Sequence, residues 1–438
     1  MREKNLLSRE KVFTFFVCIM PILHQYASPI PNITLGEIGL IFFTVLGVVE
    51  ISKKNGNISF SSYGLFLYLL LLTSLLSALS QVGSYNINDS IKLFARLFFY
   101  FIIIVYIRKL YFNLDLSIRI YRWLATIACV FLFIQVFAFY FLHIIVPSVV
   151  NFLPLYNNTS YSLIDFNAVY SQLFRPQSFF LEPGVLAQFL FPALLFSLFK
   201  FNQEKKYISV KFALFISISL IATLSAQAIF ITLIIWSLWL FSLRKSISVP
   251  KKVGISFLVV LVCLSFVILV FNNEPLHKAT LGRFVEGTSY DSTGVRVIRG
   301  FQVFEQLDIY HKFVGTGYGN VTSYVLDNNI TTENDLYGIN SNGQRLYNYE
   351  YMNTVAYVLV TGGIITFIIF ALMFLNLFKS TQGFSQISVV ILLIISIYGG
   401  TLVSTTWIIF MFYIYEGKDE LEKEKVNIFR GGLKLENS

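Results

Sequence analysis

Charged side chains are scarce in this sequence. They make up 13% of its 438 residues, against roughly 25% in soluble domains, which excludes an ordinary water-soluble globular chain. Cysteine is nearly absent too. Cys18, Cys129 and Cys263 all lie inside apolar runs, which argues against a disulfide framework or a thiolate zinc site. There is no His-Glu-x-x-His pair, no Cys-x-x-Cys, no phosphate-binding glycine loop ending in lysine and no convincing Asp-x-Asp pair. Metal-assisted, nucleotide-driven and serine-hydrolase chemistry therefore lack their usual carriers. No internal repeat is visible. No small-residue cleavage site follows the basic start MREKNLLSREK, so the first apolar run reads as an uncleaved span.

What the chain does have is hydrocarbon. It is 56% hydrophobic and 17% aromatic, with a mean hydropathy of +0.69. A bilayer-crossing helix takes roughly 17–25 apolar residues. That length places spans near 12–27, 33–51, 62–80, 91–107, 123–146, 185–200, 253–271 and 351–377. Two longer stretches, 211–243 and 386–415, are interrupted by Ser225-Ala226-Gln227 and Gly399-Gly400-Thr401, and each reads as a pair of shortened helices. The expectation is an all-α, single-domain polytopic helix bundle over 1–438 with about twelve spans. With the N-terminus inside, the short cytoplasmic segments and a cytoplasmic tail over 416–438 carry 24 of the lysines and arginines, and the outer segments carry 8. This asymmetry is what the positive-inside rule requires. It also explains the net charge of +9 without nucleic acid as a partner.

Two outer loops, 147–184 and 272–350, are longer than ordinary connections and are expected to carry function. In the first, the stretch FRPQSFFLEPG holds Arg175 and Glu182 as its only charges, with Gln177 between them and Pro176 and Pro183 keeping it out of regular helix. Arg175 reads either as a headgroup anchor or as an anion ligand. Glu182 reads either as an acid at a helix N-terminus or as a carboxylate that orients Arg175 or activates a hydroxyl. In the second loop, STGVRVIRGFQVFEQL places Val297, Phe301 and Phe304 at helical spacing, with Arg296 and Arg299 together on another side. That pair reads either as a solvated face or as a double guanidinium clamp for phosphate. Arg283 and Arg345 are weaker members of the same set. Gly315, Gly317 and Gly319 in GTGYGN mark close backbone approach. Arg96 lies inside the fourth span, where an ionisable group is functional by default unless it snorkels outward. His311, flanked by Tyr310 and Lys312, has no recognisable triad around it in sequence.

Arg175-Pro176 with Glu182-Pro183, the arginine helix followed by Gly315-Thr316-Gly317-Tyr318-Gly319-Asn320, and Asn353 to Gly363 leading into a span together resemble the Wzy-type O-antigen and capsular polysaccharide polymerases of the Wzy/WaaL polymerase–ligase superfamily. The order and topology of these parts carry the match across most of the chain. The resemblance implies a GT-C-like fold in the bacterial inner membrane with both termini cytoplasmic. It also implies a metal-independent glycosyltransferase that needs no cofactor and joins undecaprenyl-diphosphate-linked oligosaccharides, with membrane lipid and a chain-length regulator protein as partners. On this reading Arg175, Arg296 and Glu182 are catalytic, while Arg299, Arg96, Arg283, Gln177, Gly317 and His311 bind substrate. The ligase branch has a His-Asn pair where this chain reads Tyr347-Asn348-Tyr349-Glu350-Tyr351-Met352-Asn353, and this favours the polymerase. The alternatives are the ligase itself and a flippase for the same lipid-linked units. A flippase would be expected to hold charges along its spans, where this chain has little beyond Arg96, Glu37 and Glu50.

Overall fold

The computed structural model describes residues 2–53, 61–150, 152–156, 174–201, 207–242, 272, 296–332, 337–339, 345–347, 350 and 352–435. The predicted span 253–271, Arg283 and the middle of the first long loop lie outside them. The described chain is helical apart from one short antiparallel ladder in the second long loop, β1 (Tyr337–Ile339) against β2 (Arg345–Tyr347), with Gly338 opposite Leu346.

Among the described residues, five helices are long and apolar enough to cross a membrane. They are α2 (Leu35–Lys53), α3 (Ser62–Ser80), α4 (Ile87–Tyr111), α5 (Leu114–Leu142) and, later in the chain, the helix Thr354–Lys379. Their outer faces present large hydrocarbon side chains such as Phe42, Leu79, Phe141 and Leu372. Apolar surface this continuous calls for an apolar medium around it, so the chain is a membrane protein. Helix α1 (Arg2–Leu23) precedes these. The apolar helices α6 (Pro183–Leu198), α7 (Val210–Ala222) and α8 (Ala226–Ser242) are shorter. In the second loop lie α9 (Arg299–Gln306), α10 (Ile309–Val314) and α11 (Val321–Asp327), followed by α12 (Thr354–Lys379), α13 (Gly383–Tyr398) and α14 (Thr405–Leu435).

Both interrupted stretches reverse direction. Trp236 Nε1 donates to Ser217 Oγ at 2.8 Å, although a single straight helix would hold residues 19 apart at roughly 28 Å. Likewise Ser385 Oγ donates to the Tyr413 carbonyl at 3.1 Å. The chain turns at Leu224 (φ +50) and at Gly399-Gly400. Expected boundaries move, most of all those of one span. The span read as 123–146 begins two turns earlier, where Asn113 caps the Leu116 amide, and it stops at His143 in the left-handed region (φ +54). Hydropathy alone counted the extended Ile144-Ile145-Val146 as helix.

Contacts sort the connections to two ends of the bundle. At one end Arg9 pairs with Glu50 at 2.9 Å, the buried Arg108 pairs with Glu416 and Asp419, Arg122 Nη1 donates to the Tyr207 carbonyl, and the Phe384 amide donates to the Lys200 carbonyl. At the other end residues 24–34 bridge to Leu155, Asn86 meets Asn320, and Arg296 meets Glu182. Among the described residues, the basic short segments share the first end, and parts of both long loops share the second.

Candidate functional site

The stretch around Arg175 is held from below by one polar side chain in α5. Gln135, 1% exposed, accepts from the Ser178 amide at 2.8 Å and donates to the Ser178 carbonyl at 3.0 Å. The Ser178 hydroxyl donates to the Ala128 carbonyl at 2.8 Å. These bonds satisfy every polar group of a fully buried serine whose φ of +53 would otherwise cost about 1–2 kcal/mol. Phe174 stacks on Phe139 at 4.3 Å between ring centroids, and Gln25 Nε2 donates to the Phe179 carbonyl at 2.8 Å. Arg175 is half-buried on this rigid stretch. Gln177 is half-buried as well, and its carbonyl accepts from the Phe180 amide at 3.1 Å in the turn.

Glu182 ends the stretch as the extended N-cap residue of α6, with Pro183 in the first turn. Its carbonyl takes the Val185 and Leu186 amides, which leaves the side chain to face outward. Arg296 of the second loop reaches it there, Nη2 to Oε2 at 3.0 Å. Asn353 fixes Arg296 from behind. Its amide and Nδ2 both donate to the Arg296 carbonyl at 2.8 and 2.9 Å, and its Oδ1 caps the Ala356 amide of α12 at 2.8 Å. Glu182 therefore pairs with the arginine of the other loop, 114 residues away.

Arg299 does not share that position. Helix α9 begins at Arg299, just after Ile298, and the two arginines differ in surroundings. Arg299 is fully buried while the Arg296 side chain is 28% exposed. The buried residues of α9 are Arg299, Gly300 and Val303, Phe304 packs partly buried against the core, and Phe301 points outward at 37% exposure. A Cβ on Gly300 would sit 2.5 Å from the Ala356 Cβ, so α9 packs against α12 with almost no gap.

Gly317 also serves packing. Helix α12 kinks at Gly363 (φ +66), which frees the carbonyls of the preceding turn. The Thr316 amide donates to the Val360 carbonyl at 2.9 Å and the Gly317 amide to the Thr361 carbonyl at 3.0 Å. A Cβ on Gly317 would stand 2.5 Å from the Tyr85 ring. The glycine segment thus docks the second loop onto the kinked span, and the close approach expected of it is to helix backbone.

His311, buried, has partners that adjacent sequence positions do not show. Its Nδ1 lies 2.5 Å from Asp308 Oδ2, and its Nε2 lies 3.2 Å from both Ser80 Oγ and Gln81 Nε2 at the end of α3. Tyr324 donates to Asp308 Oδ2 at 2.8 Å. Partial burial works to raise the Asp308 carboxyl, but hydrogen bonds from the His311 amide, the His311 ring and Tyr324 outweigh it and hold it at about 2. A carboxylate fixed in this way favours the Nδ1–H tautomer, with Nε2 left to accept from α3. The cluster ties the second loop to α3.

Arg96 stands apart from Arg296. Its Nε and Nη2 donate to the two oxygens of Glu37 at 2.7 and 2.8 Å, Tyr100 donates to the same carboxylate, and the guanidinium lies 5.2 Å from the centre of the Tyr156 ring. Arg96, Glu37 and Tyr156 line a cavity of about 680 Å³ with Asp89, Lys92, Gly319 and Glu350. Arg96 thereby spends its Nε–Nη2 edge on a buried carboxylate, with which a diphosphate would have to compete. Glu37 and Arg96 are each conspicuous charges in the sequence, but no spacing rule pairs residues 59 apart. Gln135, Asp308 and Glu350 carry no motif, and for Gln135 the one signal is a lone amide inside an apolar run.

Burial first, and the Asp89 carboxylate second, push Glu350 up to about 7 against the hydrogen bond from Tyr357. The folded protein therefore holds this proton more tightly than the unfolded chain does. The Glu350 contribution to stability is highest below the unfolded value and falls as pH rises towards 7. Glu350→Gln is expected to melt within a degree or so of the parent at pH 4.5 and well above it at pH 8, by on the order of 2–3 kcal/mol. Thermal melts in detergent at the two pH values check this, and equal offsets at both would contradict it.

The chain matches no protein-family model and no curated protein sequence.

Proposed function

We propose that this chain is a polysaccharide polymerase of the bacterial inner membrane. On this reading it has about twelve spans in a GT-C-like bundle, its termini are cytoplasmic, and it transfers a growing glycan from undecaprenyl diphosphate onto the next lipid-linked repeat unit. The observation that carries the proposal is the Arg296–Glu182 contact, which joins the two loops whose motifs resemble that superfamily. In the transfer, a hydroxyl oxygen of the acceptor sugar bonds to the anomeric carbon of the donor. The carbon–oxygen bond to diphosphate breaks, the electron pair leaves with the diphosphate, and the hydroxyl proton passes to a base. Negative charge grows on the departing group, and fixed guanidinium groups stabilise it without reorganising.

Arg296 is the principal clamp in this scheme. It is partly solvent-facing and held at its backbone by Asn353. Arg175 is the second, carried seven residues before Glu182 on the stretch pinned by Gln135. Glu182 holds the Arg296 fork in place until diphosphate, a stronger ligand for it, takes over. Buried Arg299 and the Glu37-bound Arg96 support the scaffold. The test is to incubate the purified protein in detergent with lipid-linked repeat units, without nucleotide or an ion gradient. The expected result is a ladder of longer lipid-linked glycans. Unchanged substrate, from protein that retains its melting transition, would refute the proposal.

A further inference from the structure

The cavity beside Arg96 has no role in the scheme above, and its chemistry is unlike that of an anion site. Its two cations are already matched. Arg96 is bound by both oxygens of Glu37, which is 3% exposed, and Lys92 is paired with Asp89 at 3.1 Å on the rim. Glu350 adds a third carboxyl to the lining. An incoming phosphate would have to break a buried bidentate ion pair, at a cost of about 3–5 kcal/mol, while facing three acids. The remaining polar wall consists of neutral donors and acceptors, from Asn32, Asn86, Thr322, Ser323 and Tyr156. A space of about 680 Å³ is within the roughly 300–1,000 Å³ typical of small-molecule sites. Balanced charge with many hydrogen-bonding groups suits a neutral polyhydroxylated ligand, whose every hydroxyl needs both a donor and an acceptor.

Position points the same way. The Tyr156 amide donates to the Gln25 carbonyl at 2.9 Å, while Gln25 Nε2 holds the Phe179 carbonyl in the Arg175–Glu182 stretch. The Met352 amide donates to the Glu350 carbonyl at 3.0 Å, and the adjacent Asn353 holds Arg296. The cavity is thus tied by single residues to both halves of the Arg296–Glu182 site. On its other side Ala95 also lines an apolar groove of about 1000 Å³ between α2, α3 and α4, so a hydrocarbon tail has a place next to the polar space.

We infer that this cavity binds the sugar of the acceptor, with Glu350 and Ser323 among the groups that read its hydroxyls. The word acceptor rests on the proposed function, but the sugar site itself does not. Glu350 titrates near neutral pH, and its carboxylate form accepts hydroxyl hydrogen bonds more strongly than the neutral acid. Sugar affinity is therefore expected to rise between pH 6 and pH 8.

The test uses the full-length chain carrying Ser323→Cys and Cys263→Ser, labelled with a charged thiol reagent. One arm contains lipid-linked repeat units extracted from the source cells, and the other contains undecaprenyl diphosphate without sugar. The sugar-bearing lipid is expected to slow labelling about tenfold when it exceeds its Kd by about ten, and the sugar-free lipid is expected to leave the rate unchanged. Glu350→Gln in the same background should remove the pH dependence of protection. Equal protection by the sugar-free lipid, or protection by neither, overturns the inference. Chain extension is measured on the same samples. Extension by the parent without sugar-dependent protection sinks the sugar site alone, and protection without extension sinks the polymerase reading alone.

Discussion

On the polymerase function proposed above, Arg296→Ala is expected to slow glycan extension by about 10²–10³, the usual cost of removing one fixed donor to a developing anion. The fold should survive. The pair it forms with Glu182 is solvent-facing, with 28% and 51% of the two side chains exposed, and such pairs contribute roughly 0–1 kcal/mol to stability. The backbone of Arg296 stays tied to Asn353 whatever the side chain. Arg296→Lys should recover only part of the rate, because an ammonium keeps the charge but loses the planar two-point fork. Glu182→Gln separates the two partners. If Glu182 only holds the fork, that variant keeps most of its kcat and raises the donor KM. The measurement is extension rate against donor concentration, with melting temperature in parallel. Full activity in Arg296→Ala at a normal melting temperature would remove Arg296 from the mechanism.

Gly363→Ala is expected to be the most damaging single change to the fold. Gly363 has φ +66, and a Cβ there would sit 2.2 Å from the Phe313 carbonyl oxygen, which is backbone and cannot swing aside. Relief requires the second loop to lift from α12, which gives up the bonds from Thr316 and Gly317 to the Val360 and Thr361 carbonyls. Each is worth about 1 kcal/mol when made and more when left broken in a buried place. With the left-handed backbone added, the loss is on the order of 4–5 kcal/mol. Gly315→Ala should behave alike, since its Cβ would meet the Thr361 carbonyl at 2.2 Å. Gly83 is the control. It also has positive φ, but no atom lies within 4 Å of its Cβ, so Gly83→Ala should cost only the backbone strain of about 1–2 kcal/mol. Melting temperatures in detergent rank the three. A Gly363 variant as stable as the Gly83 variant would mean that the loop is not clamped to the span.

Much of the helix layout was legible in the sequence because it depends on local rules. Ser225 and Gly399-Gly400 interrupt apolar runs too short for two full spans, and the chain does reverse there. Pro183 marks a real helix start. The site was legible only in its parts. Arg296 and Glu182 were each recognisable as costly charges, but no spacing rule joins residues 114 apart. Helical spacing puts Arg296 and Arg299 on one side, but spacing does not say that the first faces solvent while the second is fully buried. GTGYGN was rightly read as a close backbone approach, but sequence does not say to what. Here the partner is a helix carbonyl released by another glycine almost fifty residues later. His311 looked isolated because two of its four partners come from the end of α3.

The docking of the second loop on α12 also bears on how the protein is made. Chains emerge from the ribosome N-terminus first, so Thr316 and Gly317 are synthesised before the Val360 and Thr361 carbonyls that receive them. The loop must wait, already delivered to its side of the membrane, until α12 has been inserted and bent. Only then does Asn353 secure Arg296, and only then does the much earlier Glu182 acquire its partner. Assembly of the charged site is thereby postponed until the later spans are in the bilayer, and a chain truncated before α12 would keep the Arg175 stretch pinned by Gln135 but would leave Arg296 without the Asn353 bonds that secure it.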